Sequence, residues 1–291
     1  MPAQMLDGAG LATRIRETLA DEVQRLHAAG ITPGLATVLV GDDPASASYV
    51  RHKHNDCAEV GIASVGLHLP ATTTDAELAA HIATLNADPG VDAMLVQLPL
   101  PKGLDEQAAL LAVEPDKDAD GLHPVNLGRL VAGVDAPLAC TPAAIIRLLA
   151  ENGIDLAGRH VVIVGRGLTI GRPLALLAAL KRPGCNAAVT VVHTGVPDLA
   201  RYTRQADVLV AAAGSPGVIT AEHVRPGAVV VGAGVVMDGR RLLSDVTDDV
   251  ADVAGWMTPR VGGVGPMTRA LLLENCVAAA RRRAVREGVT W

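Results

Sequence analysis

Two successive α/β units are what this sequence predicts, and three observations predict them. Apolar strand-like runs alternate with helix-periodic stretches in two places, over residues 35–98 and again over 160–231, the pattern of parallel βαβ units. Between them, from Pro99 onward, the alternation breaks. A length of 291 residues also exceeds what one core usually organises. The second unit is expected to begin at residue 140 and run to 265, and the apolar pattern of the closing helix does not say which unit it joins.

Taken in order, Leu11, Ile15, Leu19, Val23 and Leu26 recur at helical spacing and stop at Gly30. A buried strand at 35–40 is closed by Gly41-Asp42-Asp43-Pro44, and a helix follows that ends near Gly61. A strand at 64–69, a helix opened by the capping box Thr74-Asp75-Ala76-Glu77, and a strand at 93–98 complete the first alternation. Pro99, Pro101, a short helix and the loop 114–121 lead to a connecting helix at 143–152. Strands at 160–164, 189–193, 208–212 and 228–231 form the second unit, and a last helix runs from Pro266 to about Arg286.

The bulk properties exclude several classes. A net charge of -6 and the absence of basic-aromatic interleaving disfavour a nucleic-acid partner. The four cysteines, Cys57, Cys140, Cys185 and Cys276, show no ligand spacing, so neither a metal site nor a disulfide framework is expected. No apolar run reaches the ~18 residues that span a bilayer, and residues 1–22 lack a basic start followed by an apolar block. A cytoplasmic protein with no membrane partner is expected. Arg281, Arg282, Arg283 and Arg286 are read as the solvated end of a helix, where cations suit the dipole.

Tyr49 and Lys53, four residues apart on one helix face, make the first candidate site. Phenylalanine is absent and only two tyrosines occur, so this pairing is not background, although a solvated lysine beside an amphipathic tyrosine would also produce it. Val96-Gln97-Leu98-Pro99-Leu100-Pro101 places an amide at the carboxyl end of a parallel strand, where open α/β sheets bind ligands, or else merely a polar edge residue. Asp116-Lys117-Asp118-Ala119-Asp120-Gly121 resembles a calcium loop only superficially, since Leu127 stands where the twelfth-position Glu belongs. An acidic surface turn is the other reading. Gly262-Gly263-Val264-Gly265-Pro266 offers either close backbone approach to a flat ligand or a hinge.

In the second unit, a buried strand runs into Gly165-Arg166-Gly167-Leu168-Thr169-Ile170-Gly171, and a helix with proline in its first turn follows. Such a turn admits a pyrophosphate at a helix N-terminus, as in Rossmann-like folds. The spacing departs from the common fingerprint, because Ile170 occupies the place of the third glycine. The next strand ends His193-Thr194 with no acid for a ribose hydroxyl, which with Arg166 favours NADP over NAD.

The ordered set of Tyr49 to Lys53, Val96 to Pro101, Pro115 to Gly121 and Gly262 to Thr268 around the Gly165-Arg166 turn resembles the bifunctional methylenetetrahydrofolate dehydrogenase/methenyltetrahydrofolate cyclohydrolase family, over nearly the whole chain. The resemblance implies a catalytic domain of residues 1–139 and 266–291, a Rossmann-like NADP-binding domain of 140–265, an active-site cleft between them, and a homodimer. It makes Lys53 the catalytic lysine, with Tyr49 against the folate, Gln97 orienting the lysine and Asp120 anchoring the pterin. Leu98, Pro99, Gly262, Gly263, Gly265 and Pro266 would line the pocket for tetrahydrofolate derivatives. The cofactor would lie along Gly165, Arg166, Gly167, Gly171, Thr194 and Val235.

The chain departs from the family pattern in three places. Gly167 replaces a usual serine, Val261 a usual proline, and Gly232-Ala233-Gly234-Val235 a usual Asp-Val-Gly-Ile. The implied activity is oxidation of methylenetetrahydrofolate, which demands positioning, followed by hydrolysis of the methenyl product, which demands proton transfer. A lysine can supply that transfer near neutrality when burial or neighbours tune it. Short-chain dehydrogenases also use a Tyr-x-x-x-Lys pair, but there the glycine turn precedes it. A shikimate-type dehydrogenase leaves Gln97 and the Gly262 stretch unexplained, and a nucleotide-sensing binding protein would hold NADP without turnover.

Overall fold

Seven consecutive buried residues make β2 (Gly34–Val40) the centre of a three-stranded parallel sheet, between β3 (Ala63–Leu69) and β4 (Ala93–Val96). A strand buried on both faces reads as a continuous apolar run, and Ala36, Val38 and Val40 enter one core with Leu78, Ile82, Met94 and Val96. The computed structural model describes residues 2–239 and 241–290. They fall into two units: Thr13–Leu138 with the chain from Arg269 on, and Ala139–Thr268 with the residues up to Ala12.

In the unit built on β2, α2 (Pro44–Val60) starts where Asp43 caps the Ser46 amide at 2.8 Å and stops where Gly61 turns left-handed. The capping box of α3 (Asp75–Ala87) forms between Thr74 and Glu77. Beyond β4 come α4 (Glu106–Ala112) and α5 (Pro124–Ala132), the latter absent from the sequence reading and capped by His123. The Ala119 amide donates to Met94 O at 2.9 Å, so the acidic loop lies along β4.

The second unit carries a parallel sheet of six strands among the described residues. In spatial order they are β1 (Gln4–Met5), β11 (Trp256–Met257), β8 (Val229–Gly232), β7 (Val208–Ala211), β5 (His160–Val164) and β6 (Ala188–Val192). Helices α6 (Cys140–Glu151), α7 (Gly171–Ala179) and the short α8 (Ala200–Thr203) accompany it. A two-stranded hairpin, β9 (Val235–Asp238) with β10 (Arg241–Ser244), branches off after β8.

Helix α9 (Val264–Arg286) starts two residues before its expected proline, so Gly265 and Pro266 belong to its first turn rather than to a loop. The unit boundaries also differ from those expected. Residues up to Ala12 join the second unit because β1 pairs with β11, Ala3 enters that core, and the Ala9 amide donates to Gly262 O. The arginines of α9 are not simply solvated. Arg283 donates to both oxygens of Asp92, whose side chain is only 2% exposed, and Arg282 donates to Asp116 O. Arg283 neutralises this buried carboxylate, which accounts for the departure.

Candidate active site

Lys53 is 4% exposed, so a solvated surface lysine is ruled out. Its position on α2 turns the side chain toward Tyr49 one turn earlier, the direction helical side chains lean. The ammonium stands 5.1 Å from the Tyr49 ring centroid and donates to Gln97 Oε1 at 3.2 Å. The Gln97 amide is fixed in that sense because its Nε2 donates to Leu98 O at 2.7 Å. Gln97 itself follows β4 directly, its own amide donating to Val38 O, at the carboxyl edge where parallel sheets open to ligands.

The nearest acid on the same helix is Asp56, and Arg269 takes it, Nε to Oδ2 at 2.7 Å. Lys53 therefore faces an amide oxygen and a ring face instead of a carboxylate. A buried ammonium with such partners carries a charge that no bonded acid neutralises. His54 bonds Thr37 Oγ1 at 2.9 Å and Ser64 Oγ at 2.8 Å, and burial first, then the Lys53 charge, lowers its pKa. It ties α2 to β2 and β3 and stays out of the chemistry. Burial pushes the Cys57 thiol up to about 12, which removes it as a nucleophile.

Asp118, and not Asp120, organises the acidic loop. Its buried carboxylate accepts from the Gly121 and His123 amides and from Asn126 Nδ2, and burial raises its pKa. Asp120 is half-buried and has no hydrogen-bond or ion-pair partner among the described residues. The parallel bridge between Met94 and Asp118 carries Asp120 along β4 toward the edge that holds Gln97. Leu98 is half-buried and Pro99 exposed, joined by a cis peptide bond.

In the second unit the glycine turn follows β5, which lies between β6 and β7 at the point where strand order reverses. A Cβ on Gly165 would sit 2.1 Å from Ala212 O, and one on Gly171 would sit 2.2 Å from Gly165 O, so both must be glycine. Gly167 has open space around it and needs no such explanation. Arg166 and Gly167 are exposed in this turn, Thr194 is exposed beyond β6 and Val235 beyond β8, and no acid ends β6. A backbone cradle at a helix start, with a guanidinium beside it, fits a dinucleotide phosphate. Gly262, at a φ of 85°, passes its carbonyl to the Ala9 amide, while Gly265 is open.

The sequence reading missed Asp56 with Arg269, the Asp118 network, and Asp245, which is 0% exposed and accepts three backbone amides. None carried a local signal beyond being an acid. No group of three or more His, Cys, Asp or Glu able to hold a metal occurs among the described residues.

Together these features define a class: a two-domain α/β enzyme that joins a dinucleotide-binding unit to a unit bearing a buried, amide-held lysine. Comparison with known proteins makes the class specific. Residues 6–120 match the model of the tetrahydrofolate dehydrogenase/cyclohydrolase catalytic domain, and residues 139–284 that family's NAD(P)-binding domain. The chain is 56% identical to Bifunctional protein FolD 1 of Salinispora tropica over 280 residues, 96% of this chain and 92% of the relative. The bifunctional FolD enzyme of Campylobacter jejuni superposes with a TM-score of 0.93 at 40% identity, covering 97% of this chain and 99% of that one. The Trypanosoma brucei dehydrogenase-cyclohydrolase, solved with NADP and an inhibitor, gives 0.91 at 38%, covering 98% and 99%. The chain belongs to the tetrahydrofolate dehydrogenase/cyclohydrolase family.

Proposed function

We propose that the enzyme oxidises 5,10-methylenetetrahydrofolate to the 5,10-methenyl form with NADP and then hydrolyses that product to 10-formyltetrahydrofolate, with Lys53 as the acid-base group of the second step. The observation that carries this reading is the Lys53 ammonium, buried and held by Gln97 Oε1 and the Tyr49 ring, with no carboxylate bonded to it among the described residues. Support for NADP comes from the Trypanosoma brucei relative, solved with it, and from the missing acid after β6.

Gly165, Arg166, Gly167, Gly171, Thr194 and Val235 would hold the cofactor, which would supply the hydride acceptor for oxidation of the one-carbon bridge. Tyr49 presents its ring face to the pteridine and to the cationic product. Asp120, unpaired within its loop, accepts hydrogen bonds from the pterin amino group and ring N–H. Leu98, Pro99, Gly262, Gly263, Gly265 and Pro266 complete the substrate contacts. In hydrolysis, water adds to the amidinium carbon and releases one proton to solvent; the Lys53 ammonium then gives a proton to the departing nitrogen as the C–N bond opens, and takes back the remaining hydroxyl proton as the formyl carbonyl forms. Gln97 Oε1 holds Nζ in register for both transfers.

The reading extends to a homodimer working in the cytoplasm. Exposed Val236 and Met237 on the hairpin support self-association, and four buried free thiols suit a reducing compartment. The chemistry is tested by adding methylenetetrahydrofolate and NADP to the purified enzyme. NADPH absorbance should rise while the methenyl absorbance appears and decays; no change in either sinks the proposal.

A further inference from the structure

Asp245 is the one acid in the second unit with 0% exposure, and no cation meets it among the described residues. Its Oδ2 accepts from the Ala213 amide at 2.6 Å and the Gly214 amide at 3.0 Å, and its Oδ1 accepts from the Ser215 amide at 2.7 Å. Three successive N–H groups converging on one carboxylate form an anion nest that the protein fills from within. The loop so gathered follows β7 directly, and Gly165 of the glycine turn lies against the carbonyl of Ala212 at its start.

The same residue fixes a second segment. The Asp245 amide donates to Gly234 O at 3.0 Å, and the Ala233 and Gly234 amides donate to Ala211 O at 2.8 and 2.9 Å. A Cβ on Gly234 would fall 1.9 Å from Asp245 Oδ2, so the glycine is required by the carboxylate. Val235 comes next in the chain. Asp245 thus ties both the loop beneath the glycine turn and the turn leading to Val235 to the carboxyl ends of β7 and β8.

From this geometry we infer that Asp245 is a positioning residue for the dinucleotide, acting through backbone it holds rather than by touching the ligand. Burying a carboxylate without a cation is costly, and a role confined to stability would be served by apolar packing. The inference rests on the cofactor lying along the glycine turn, as proposed above.

The test is calorimetric titration of NADPH into the full-length wild type and Asp245→Asn, with steady-state kinetics on both. The asparagine keeps one acceptor but turns an NH₂ toward the amide donors. The expected result is a Kd for NADPH and a KM for NADP each raised at least about tenfold, with kcat at saturating NADP within about threefold. A folded Asp245→Asn that binds NADPH within about twofold of wild type overturns the inference, whatever its melting temperature. A wild type that binds no NADPH sinks the cofactor reading instead. Should Asp245→Asn fail to fold, Gly234→Ala displaces the carboxylate without removing it. Unchanged NADPH affinity in that variant is equally fatal.

Discussion

Lys53→Met separates catalysis from folding at the position that matters most. Methionine matches the lysine stem in length, so the buried space stays filled. Folding loses the bond from Nζ to Gln97, about 1.5–3 kcal/mol for a charged donor, and the contact over the Tyr49 ring, about 1–2 kcal/mol. It regains the cost of keeping an ammonium 4% exposed, of order several kcal/mol. The opposing effects leave stability within about 2 kcal/mol of wild type. Hydrolysis loses its proton carrier, worth about 10²–10⁴ in rate, or roughly 3–5 kcal/mol in barrier. The assay follows decay of methenyltetrahydrofolate absorbance above its spontaneous rate, with NADPH titration on the same preparation to show that the second unit is intact. A folded variant that binds NADPH and hydrolyses at the wild-type rate refutes the assigned role.

Four further outcomes are expected. Arg166→Ala should raise the KM for NADP about tenfold or more and leave that for NAD nearly unchanged; equal effects on both show that Arg166 does not read the 2'-phosphate. Gly167→Ser meets no neighbour within 4 Å, so it should fold normally and lower the KM for NADP severalfold through one added hydrogen bond of about 1 kcal/mol. Arg283→Met strands the Asp92 carboxylate and should cost about 3–5 kcal/mol in urea unfolding, and adding Asp92→Asn should recover part of it. His54 is depressed in the folded state from its ordinary 6.5, so the unfolded chain binds more protons below that value. Its contribution to stability is complete above pH 6.5 and is lost as pH falls through the lowered folded value. The melting temperature of wild type should therefore drop more steeply below 6.5 than that of His54→Gln.

What the sequence made legible was whatever is local. Strand β2 is apolar on both faces, the Thr74-Glu77 box lies within one turn, and Gly61 ends α2, so each announces itself within a few residues. Helix α5 did not, since its cap is a histidine and it spans only nine residues. Nor could β1, a two-residue strand whose identity depends on pairing with β11 far along the chain. The spacing of Tyr49 and Lys53 marked them as sharing a helix face, but neither the burial of Lys53 nor its bond to Gln97, 44 residues on, could be read from it. The same limit hid Arg269 behind Asp56 and Arg283 behind Asp92, pairs 213 and 191 residues apart. Such partners are fixed by tertiary packing, which helical periodicity does not encode. The Gly262 stretch was legible as close backbone approach, yet part of what it approaches is the start of α1 (Gly8–Ala28), through the Ala9 amide.

The central claim is that Lys53 meets the one-carbon bridge of the folate while Asp120 holds the pterin. A crystal structure of the enzyme with NADP and a non-reactive folate analogue tests it most directly. It should place Lys53 Nζ within about 3.5 Å of a bridge atom or its bound water, Asp120 on the pterin amino group, and the Tyr49 ring against the pteridine face. An analogue bound with Lys53 still enclosed by Gln97 and out of its reach contradicts the account.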